Sequence, residues 1–173
     1  MRIELDSLEG GKGKFAHTYQ PEELDLLDAR VRVTAPAGVT GFVKRSGAEV
    51  AVSGRFSSIV SVECDRCLKT LELPVSAEFS VDYITPRDYE SSHAAELTAE
   101  DLDVSVFDGE SIDVDELVKE QILLSVPDRT LCRDDCKGIC STCGADLNTG
   151  ACNCQQTDID PRWEALKKFK NDE

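Results

Sequence analysis

Eight cysteines are the residues of this chain whose types and spacing point most directly to chemistry. Six lie in residues 132–154, CRDDCKGICSTCGADLNTGACNC, and two lie in ECDRCLK at 63–69. Zinc takes four ligands in a tetrahedron and favours thiolates, and two cysteines separated by two residues can bind one ion from a tight turn. The sequence predicts two structural zinc sites with eight ligands: Cys64, Cys67, Cys132, Cys136, Cys140, Cys143, Cys152 and Cys154.

The first predicted zinc site lies within the C-terminal segment. Cys140 and Cys143 form a knuckle, and Gly144 permits the left-handed backbone that such a turn needs. Cys152 and Cys154 follow after eight intervening residues and complete the four ligands.

The second predicted site combines ligands from distant parts of the chain. Cys132 and Cys136 remain in the C-terminal segment, and Cys64 and Cys67 remain in the CDRC segment. A shared ion would tether the C-terminal segment to the connection at 63–70. An alternative pairing places Cys132 and Cys136 on an ion shared with the knuckle of the first site.

The sequence gives no support for an enzyme. A catalytic zinc keeps an open coordination position and usually has histidine or carboxylate ligands. His17 and His93 are the only histidines, and we expect both to be exposed in loops. The CDRC segment follows a β-rich stretch rather than the βαβ pattern that a redox motif needs. We therefore expect a protein that binds or assembles, without a small-molecule substrate.

The composition predicts a globular protein of one domain, or of one domain with an appendage. Of the 173 residues, 40% are hydrophobic and 31% are charged. No apolar run approaches the roughly 20 residues of a membrane helix, and the first residues lack the apolar core of a signal peptide. We expect a cytoplasmic protein without membrane contact, where cysteine clusters bind metal more often than they form disulfides.

The net charge of −15 is unevenly distributed. Residues 82–131 carry 3 basic and 14 acidic side chains. This acidic band repels phosphate backbones and attracts basic partners, although a solvated surface that confers solubility is the alternative. Any contact with RNA should use the basic patches instead: Lys12 and Lys14, Arg30 and Arg32, Lys44 and Arg45, or the lysines near the C-terminus.

Alternating hydrophobic residues predict a sheet. Residues 49–62 and 71–83 should form two long antiparallel strands with the CDRC segment at their connection. The interruption SGRFSS predicts a bulge or bend, and Pro74 should lie at a sheet edge. Shorter strands are predicted at 2–6, 31–33, 41–44 and 102–106, a mobile loop at 10–14, and a short helix after Pro21.

The remaining sequence predicts two helices and a loop. Residues 86–100 are polar and without period, which favours a loop. Asp113 should cap a helix that ends before Pro127 and covers the sheet, and Asp160 should cap a last helix. The apolar face of the first helix comprises Val114, Leu117, Val118, Ile122 and Leu124, and that of the last comprises Trp163, Leu166 and Phe169.

These elements define an α+β fold. We expect a mainly antiparallel β-sheet or partial barrel with a covering helix over residues 1–130. Residues 131–173 should form a cysteine-rich zinc-binding tail with a short terminal helix, tethered to the core.

Several stretches together resemble a known family. They are CDRCL at 64–68, the helix ending at Pro127, CKGICSTCGADLN at 136–148, CNC at 152–154 and DPRWEAL at 160–166. In this order they resemble the YceD family of large ribosomal RNA subunit accumulation proteins, over residues 50–170. The resemblance implies a bacterial cytoplasmic protein that is needed for normal levels of large-subunit ribosomal RNA.

Resemblance and charge together give the functional expectation. We expect a non-enzymatic factor in the synthesis, processing or stability of large-subunit (23S) ribosomal RNA, acting in ribosome biogenesis. Its acidic band would bind a basic ribosomal protein or assembly intermediate, and contact with ribosomal RNA would be weak or indirect. The alternatives are a nucleic-acid-binding zinc-ribbon regulator and a thiol-based, redox-responsive zinc protein.

Overall fold

The computed structural model describes residues 1–47, 49–92, 104–154 and residue 162. Within them the chain forms eight strands and two α-helices, joined by short turns. The strands are β1 (Arg2–Glu4), β2 (Lys12–Tyr19), β3 (Arg32–Val33), β4 (Ala37–Ser46), β5 (Glu49–Glu63), β6 (Thr70–Ile84), β7 (Val104–Val106) and β8 (Ser111–Asp113). The helices are α1 (Pro86–Ser92) and α2 (Val114–Leu124), and 3-10 turns occupy Leu5–Ser7, Glu9–Gly11 and Pro21–Glu23.

Most strands lie in one open sheet with the order β2-β4-β5-β6-β7, and β3 also pairs with β5. The two longest strands, β5 and β6, are antiparallel in continuous register from Val50 opposite Tyr83 to Glu63 opposite Thr70, as predicted. β7 joins β6 in parallel at Asp82–Ile84 only. The start of β6, with Pro74, therefore has β5 as its only strand neighbour among the described residues, which fits the predicted edge. β1 and β8 form a separate two-stranded sheet.

The hydrophobic core lies between α2 and the inward face of the large sheet. Asp113 caps α2, because its Oδ1 accepts the backbone N–H groups of Asp115 at 3.0 Å and Glu116 at 3.3 Å. Four of the five predicted apolar residues of α2 are buried, but Leu124 is 71% exposed, so its assignment to the packed face is wrong. Leu124 is the last residue of α2, and its neighbour Leu123 packs against the core instead. With open sheets and few helices, the architecture is consistent with the predicted α+β class.

The predicted bulge at SGRFSS is wrong. The ladder of β5 with β6 continues through the whole segment, and that with β4 continues to Ser57, both without an extra residue. Gly54 faces the core opposite Gly41, where a Cβ atom would approach Phe79 Cζ to 2.8 Å. Ser58 also faces inward, and its Oγ donates to Ala35 O at 3.1 Å. The apolar pattern is therefore interrupted for two reasons. Gly54 leaves space for the ring of Phe79, and the hydroxyl of Ser58 has a hydrogen-bond acceptor, so the strand continues.

Residues 10–14 do not form the predicted mobile loop. Gly10 and Gly11 turn the chain with φ of 60° and 70°, and β2 then begins at Lys12. β2 pairs with β4 along its whole length. At the far end of β2, the hydroxyl of Tyr19 donates to Asp115 Oδ1 at 2.7 Å, which ties this strand to α2. The short helix after Pro21 is a 3-10 turn.

Part of the predicted loop at 86–100 is helical. The hydroxyl of Thr85 accepts the backbone N–H of Asp88 at 3.4 Å, and Pro86 occupies the first helical position of α1. Thr-Pro-Arg-Asp is thus a helix-start signal that the polar composition obscured. The rest of that loop, Leu102 of the next strand, His93 and the predicted C-terminal helix with Trp163, Leu166 and Phe169 lie outside the described residues.

Within the described part of the chain, no helix has the length and apolar character needed to cross a membrane. The division of the chain into two parts near residue 130 stays a prediction.

Candidate metal centres

The first knuckle follows directly from the end of β5. The N–H of Cys64 donates to Lys69 O at 2.9 Å, and the N–H of Leu68 donates to Cys64 O at 2.9 Å. These bonds fold the connection between β5 and β6 into a tight turn, so that Cys64 and Cys67 both direct sulfur to one side. Leu68 closes the turn with φ of 59°, a left-handed conformation that is unfavourable for a leucine.

Cys132 and Cys136 meet this knuckle and complete a set of four thiols, which we call the tether cluster. The Sγ atoms of Cys67 and Cys132 are 3.6 Å apart, and those of Cys64 and Cys136 are 3.9 Å apart. All four Sγ atoms lie within 4.8 Å of one another. Four thiolates at about 2.3 Å from a tetrahedral zinc would be about 3.8 Å apart. The sulfur positions therefore fit one ion.

Backbone contacts hold the C-terminal segment against the β5–β6 connection. The N–H of Asp65 donates to Thr130 O at 2.9 Å, and the Asp65 carboxylate accepts the N–H of Thr130 at 2.6 Å. The guanidinium of Arg66 donates to Cys136 O at 2.6 Å. Gly138, with φ of 77°, passes so close that a Cβ atom would lie 2.9 Å from Arg66 O. The segment is thus docked on the hairpin by its main chain as well as by the thiols.

The second set of four thiols, which we call the tail cluster, comprises Cys140, Cys143, Cys152 and Cys154. Their Sγ atoms also lie within 4.8 Å of one another. The N–H of Cys140 donates to Ala145 O at 2.8 Å, and the N–H of Gly144 donates to Cys140 O at 2.9 Å. Gly144 has φ of 74°. This knuckle repeats the hydrogen bonds of the first one, with glycine where the first has Leu68.

Asn148, which lies in sequence between the two cysteine pairs of the tail cluster, contacts the tether cluster. Its Oδ1 accepts the N–H of Lys137 at 2.8 Å and the guanidinium of Arg133 at 2.9 Å. Its Nδ2 donates to the Sγ of Cys136 at 3.5 Å. Sequence reasoning did not identify Asn148, because an asparagine in a polar turn gives no signal of a contact to a thiol twelve residues away.

The thiols of the tether cluster differ in acidity. Burial alone raises the pKa of Cys64, but backbone N–H groups, including that of Cys132, lower it to about 6. Burial and the side chain of Cys136 raise the pKa of Cys132 to about 12. Four thiolates this close together repel one another. Without a cation, some of the four thiols therefore keep their protons at neutral pH.

The tail cluster follows the same pattern. Backbone N–H groups of Cys143 and Thr142 lower the pKa of Cys140 to about 6. The side chain of Cys143, followed by burial, raises the pKa of Cys154 to about 12. A divalent ion that entered either cluster would displace the remaining protons, so its affinity should fall as the pH falls.

The structure brings together the two sets of four cysteines that the first pairing from sequence predicts. The alternative, in which Cys132 and Cys136 share an ion with the knuckle of the tail cluster, does not match this arrangement. Metal binding by either set, and the identity of the metal, stay predictions. His17 lies in β2 rather than in a loop, and its side chain is exposed as expected.

Comparison with known proteins places these clusters in context. The family model described as large ribosomal RNA subunit accumulation protein YceD matches residues 52–170, which is more than half of the chain. The chain belongs to the YceD family. The matched region begins in β5 and contains every cysteine of both clusters.

Curated relatives come from bacteria and from a plant. The YlbN protein of Bacillus subtilis is 28% identical over 157 residues, 90% of this chain and 87% of that protein. A Mycobacterium tuberculosis protein is 33% identical over 117 residues, 68% of this chain and 54% of that protein. The maize chloroplast protein named large ribosomal RNA subunit accumulation protein YCED homolog 1 is 26% identical over 159 residues, 79% of this chain.

The chain spans about half the length of the mycobacterial and maize relatives. No solved structure matches it.

Proposed function

We propose that this protein is a non-enzymatic factor of the cytoplasm that promotes the accumulation of large-subunit ribosomal RNA during ribosome biogenesis. Membership of the YceD family carries this proposal, and the name of the maize relative agrees with it. The family is described by the RNA whose level it supports and not by a reaction. The two clusters fit this picture, because four cysteine ligands leave no open position for a substrate.

Depletion of the protein in cells tests this function. We expect the ratio of large- to small-subunit ribosomal RNA to fall, with fewer large subunits in a ribosome profile, and to recover when the gene is restored. An unchanged ratio with normal profiles would overturn the proposal.

We further propose that each cluster holds one structural zinc ion. Thiolates are the soft donors that zinc prefers, and the spacing of the sulfur atoms in the tether cluster suits a tetrahedral ion. Metal analysis of the reduced protein should find two zinc ions per chain, and Cys143→Ser should leave one. One ion or none in the unmodified protein would contradict this assignment.

The partner that we propose is a basic ribosomal protein or an assembly intermediate that presents one. A cleft of about 410 Å³ between α2, β6 and the turn before β8 is lined by the carboxylates of Glu116 and Glu120. Asp113 lines it too, but its carboxylate accepts the guanidinium of Arg2 at 3.3 Å. The rings of Tyr83 and Phe107 also line it and meet edge to face at 5.9 Å. Carboxylates and aromatic rings together suit a lysine or arginine side chain.

The electrostatics of the cleft support this partner. Burial, then the charges of Glu120 and Glu116, raise the pKa of Tyr83 to about 12. The same field would attract a cation, because it opposes the formation of another anion.

Charge reversal tests the partner. Glu116→Lys with Glu120→Lys should abolish co-purification with ribosomal proteins and lower the RNA ratio. Glu22→Lys with Glu72→Lys makes the same change of net charge elsewhere on the exposed surface, and should have no such effect. Equal loss with both pairs would refute a role for the cleft.

A further inference from the structure

The outward face of the large sheet carries a group of cations around an exposed aromatic ring. In the β2–β4 ladder, Lys12 lies opposite Lys44 and Lys14 lies opposite Phe42. Arg55 projects from the same face of β5. All five side chains are exposed. We call this set the basic face.

The register of the sheet produces the basic face. Lys12, Lys14 and Lys44 belong to two of the basic patches that the sequence suggests, but they are separated by about 30 residues. The antiparallel pairing of β2 with β4 places them side by side, and strand alternation turns them away from the core. Arg45, the neighbour of Lys44, points to the other face and pairs with Asp6 at 3.6 Å.

Phe42 has no packing role in the core. Its ring is 57% exposed, whereas its strand neighbours Gly41 and Val43 are buried on the opposite face. The ammonium of Lys14 lies 5.5 Å from the centre of the ring. A single exposed aromatic ring is common on protein surfaces. The ring of Phe42 is informative because the other members of the basic face share its side of the sheet.

An open groove of about 740 Å³ borders this ring. Apart from Phe15, the uncharged residues that line it beside Phe42 are small: Ala16, Thr40, Gly41, Ser53 and Gly54. Lys14 and Arg55 supply positive charge. Glu78 also lines the groove and lies opposite Arg55 in the β5–β6 ladder. The net positive charge of the groove is therefore concentrated around Phe42.

We propose that the basic face binds single-stranded RNA, with one base stacked on Phe42 and phosphates bound by Lys12, Lys14 and Lys44. A nucleotide presents a flat ring and an anion at short range, and the basic face presents their complements. The small residues of the groove leave room for a base beside the ring. This inference rests on the proposed function and specifies the surface through which the protein contacts ribosomal RNA.

Single-stranded RNA fits better than the other polyanions. A duplex keeps its bases stacked and cannot offer one to Phe42. An acidic protein segment could bind the lysines, but it would leave the ring without a partner. The acidic band elsewhere repels any polyanion, so the RNA should avoid that band, and the affinity for RNA should depend strongly on salt.

Fluorescence anisotropy with an unstructured, labelled RNA of about 12 nucleotides tests the proposal. With three lysine–phosphate contacts, raising the salt concentration from roughly 50 to 200 mM should weaken binding about 20-fold. Lys14→Ala should reduce the slope of log affinity against log salt concentration by about 0.7. Phe42→Ala should weaken binding about tenfold at every salt concentration, and Phe42→Tyr should restore it. Lys119→Ala removes one charge from α2, which packs on the other side of the sheet, and should change nothing.

Several results would overturn the proposal. They are no detectable binding by the full chain, equal affinity for a duplex of the same length, or wild-type affinity in Phe42→Ala. Competition by polyglutamate as effective as competition by RNA would assign the basic face to an acidic protein instead.

The cellular assay separates this inference from the proposed function. If depletion lowers the ribosomal RNA ratio but Phe42→Ala with Lys14→Ala restores it fully, the function stands and the RNA-binding surface is refuted. If depletion has no effect, the proposed function fails, whatever the RNA-binding result.

Discussion

Replacing Cys67 by serine removes one ligand from the tether cluster and should destabilise the whole sheet. Cys67 and Cys132 are separated by 65 residues, so an ion that joins them closes a long loop in the unfolded chain. By analogy with a disulfide, closing a loop of this length contributes about 4 kcal/mol to the free energy of unfolding. For a chain of this size, that loss corresponds to a fall in Tm of about 10 °C.

The tail cluster provides the matched comparison. Cys143 is exposed and its cluster joins only residues of the C-terminal segment. Cys143→Ser should therefore release metal without lowering the Tm of the sheet. Thermal unfolding followed by the β-sheet signal in far-ultraviolet circular dichroism measures both variants under reducing conditions.

Metal removal separates the ion from the side chain. The metal-free unmodified protein should have the same lowered Tm as Cys67→Ser, and Cys67→Ser should lose little more when its metal is removed. Equal shifts in Cys67→Ser and Cys143→Ser, or a metal-free protein as stable as the loaded one, would refute the reasoning.

Three further predictions concern the fold. Leu68→Gly should raise the free energy of unfolding by about 1 kcal/mol, because glycine adopts the φ of 59° without strain; a lower midpoint in urea would contradict this. Asp113→Ala should lower it by about 1 kcal/mol through loss of the α2 cap, with Asp113→Asn nearly neutral. Although burial raises the pKa of Asp115, hydrogen bonds from the Met1 ammonium and Tyr19 hold it below its usual range. Tyr19→Phe should therefore raise this pKa, measured by NMR, and should lower the free energy of unfolding by about 1 kcal/mol. That cost should persist above about pH 4 and shrink as the pH falls through the pKa of the folded protein; a cost that grew in acid would refute it.

The two cysteine pairs within each cluster could be recognised from the sequence because their spacings are local, although two ways of combining them stayed open. Two knuckles and one short pair are visible as spacings, and four ligands per ion leave few ways to combine them. The long strands β5 and β6 were equally accessible, because one alternating pattern extends through each. The backbone conformation inside the knuckles could not be predicted, because a leucine such as Leu68 gives no sequence signal for a left-handed backbone.

The pairing of β2 with β4 and the start of α1 were beyond the sequence reasoning. The basic face depends on the pairing of Lys12 with Lys44 across two strands, and the predicted loop at 10–14 removed Lys12 from the sheet. The interruption at Gly54 was misread, because the ring that occupies its space comes from Phe79 in another strand. The capping residue Thr85, followed by Pro86, could have indicated the start of α1. This short motif was outweighed by the long polar stretch that follows it.

The long separation of the two halves of the tether cluster has a consequence for synthesis. Cys67 leaves the ribosome 65 residues before Cys132, which corresponds to about 3 to 13 s at elongation rates of about 5 to 20 residues per second. During that interval the nascent hairpin offers only two thiols, too few to enclose a tetrahedral ion. If the tether cluster binds an ion as proposed, the ion can be enclosed only after the C-terminal segment has been translated, and a chain that stalls earlier has a sheet without this cross-link.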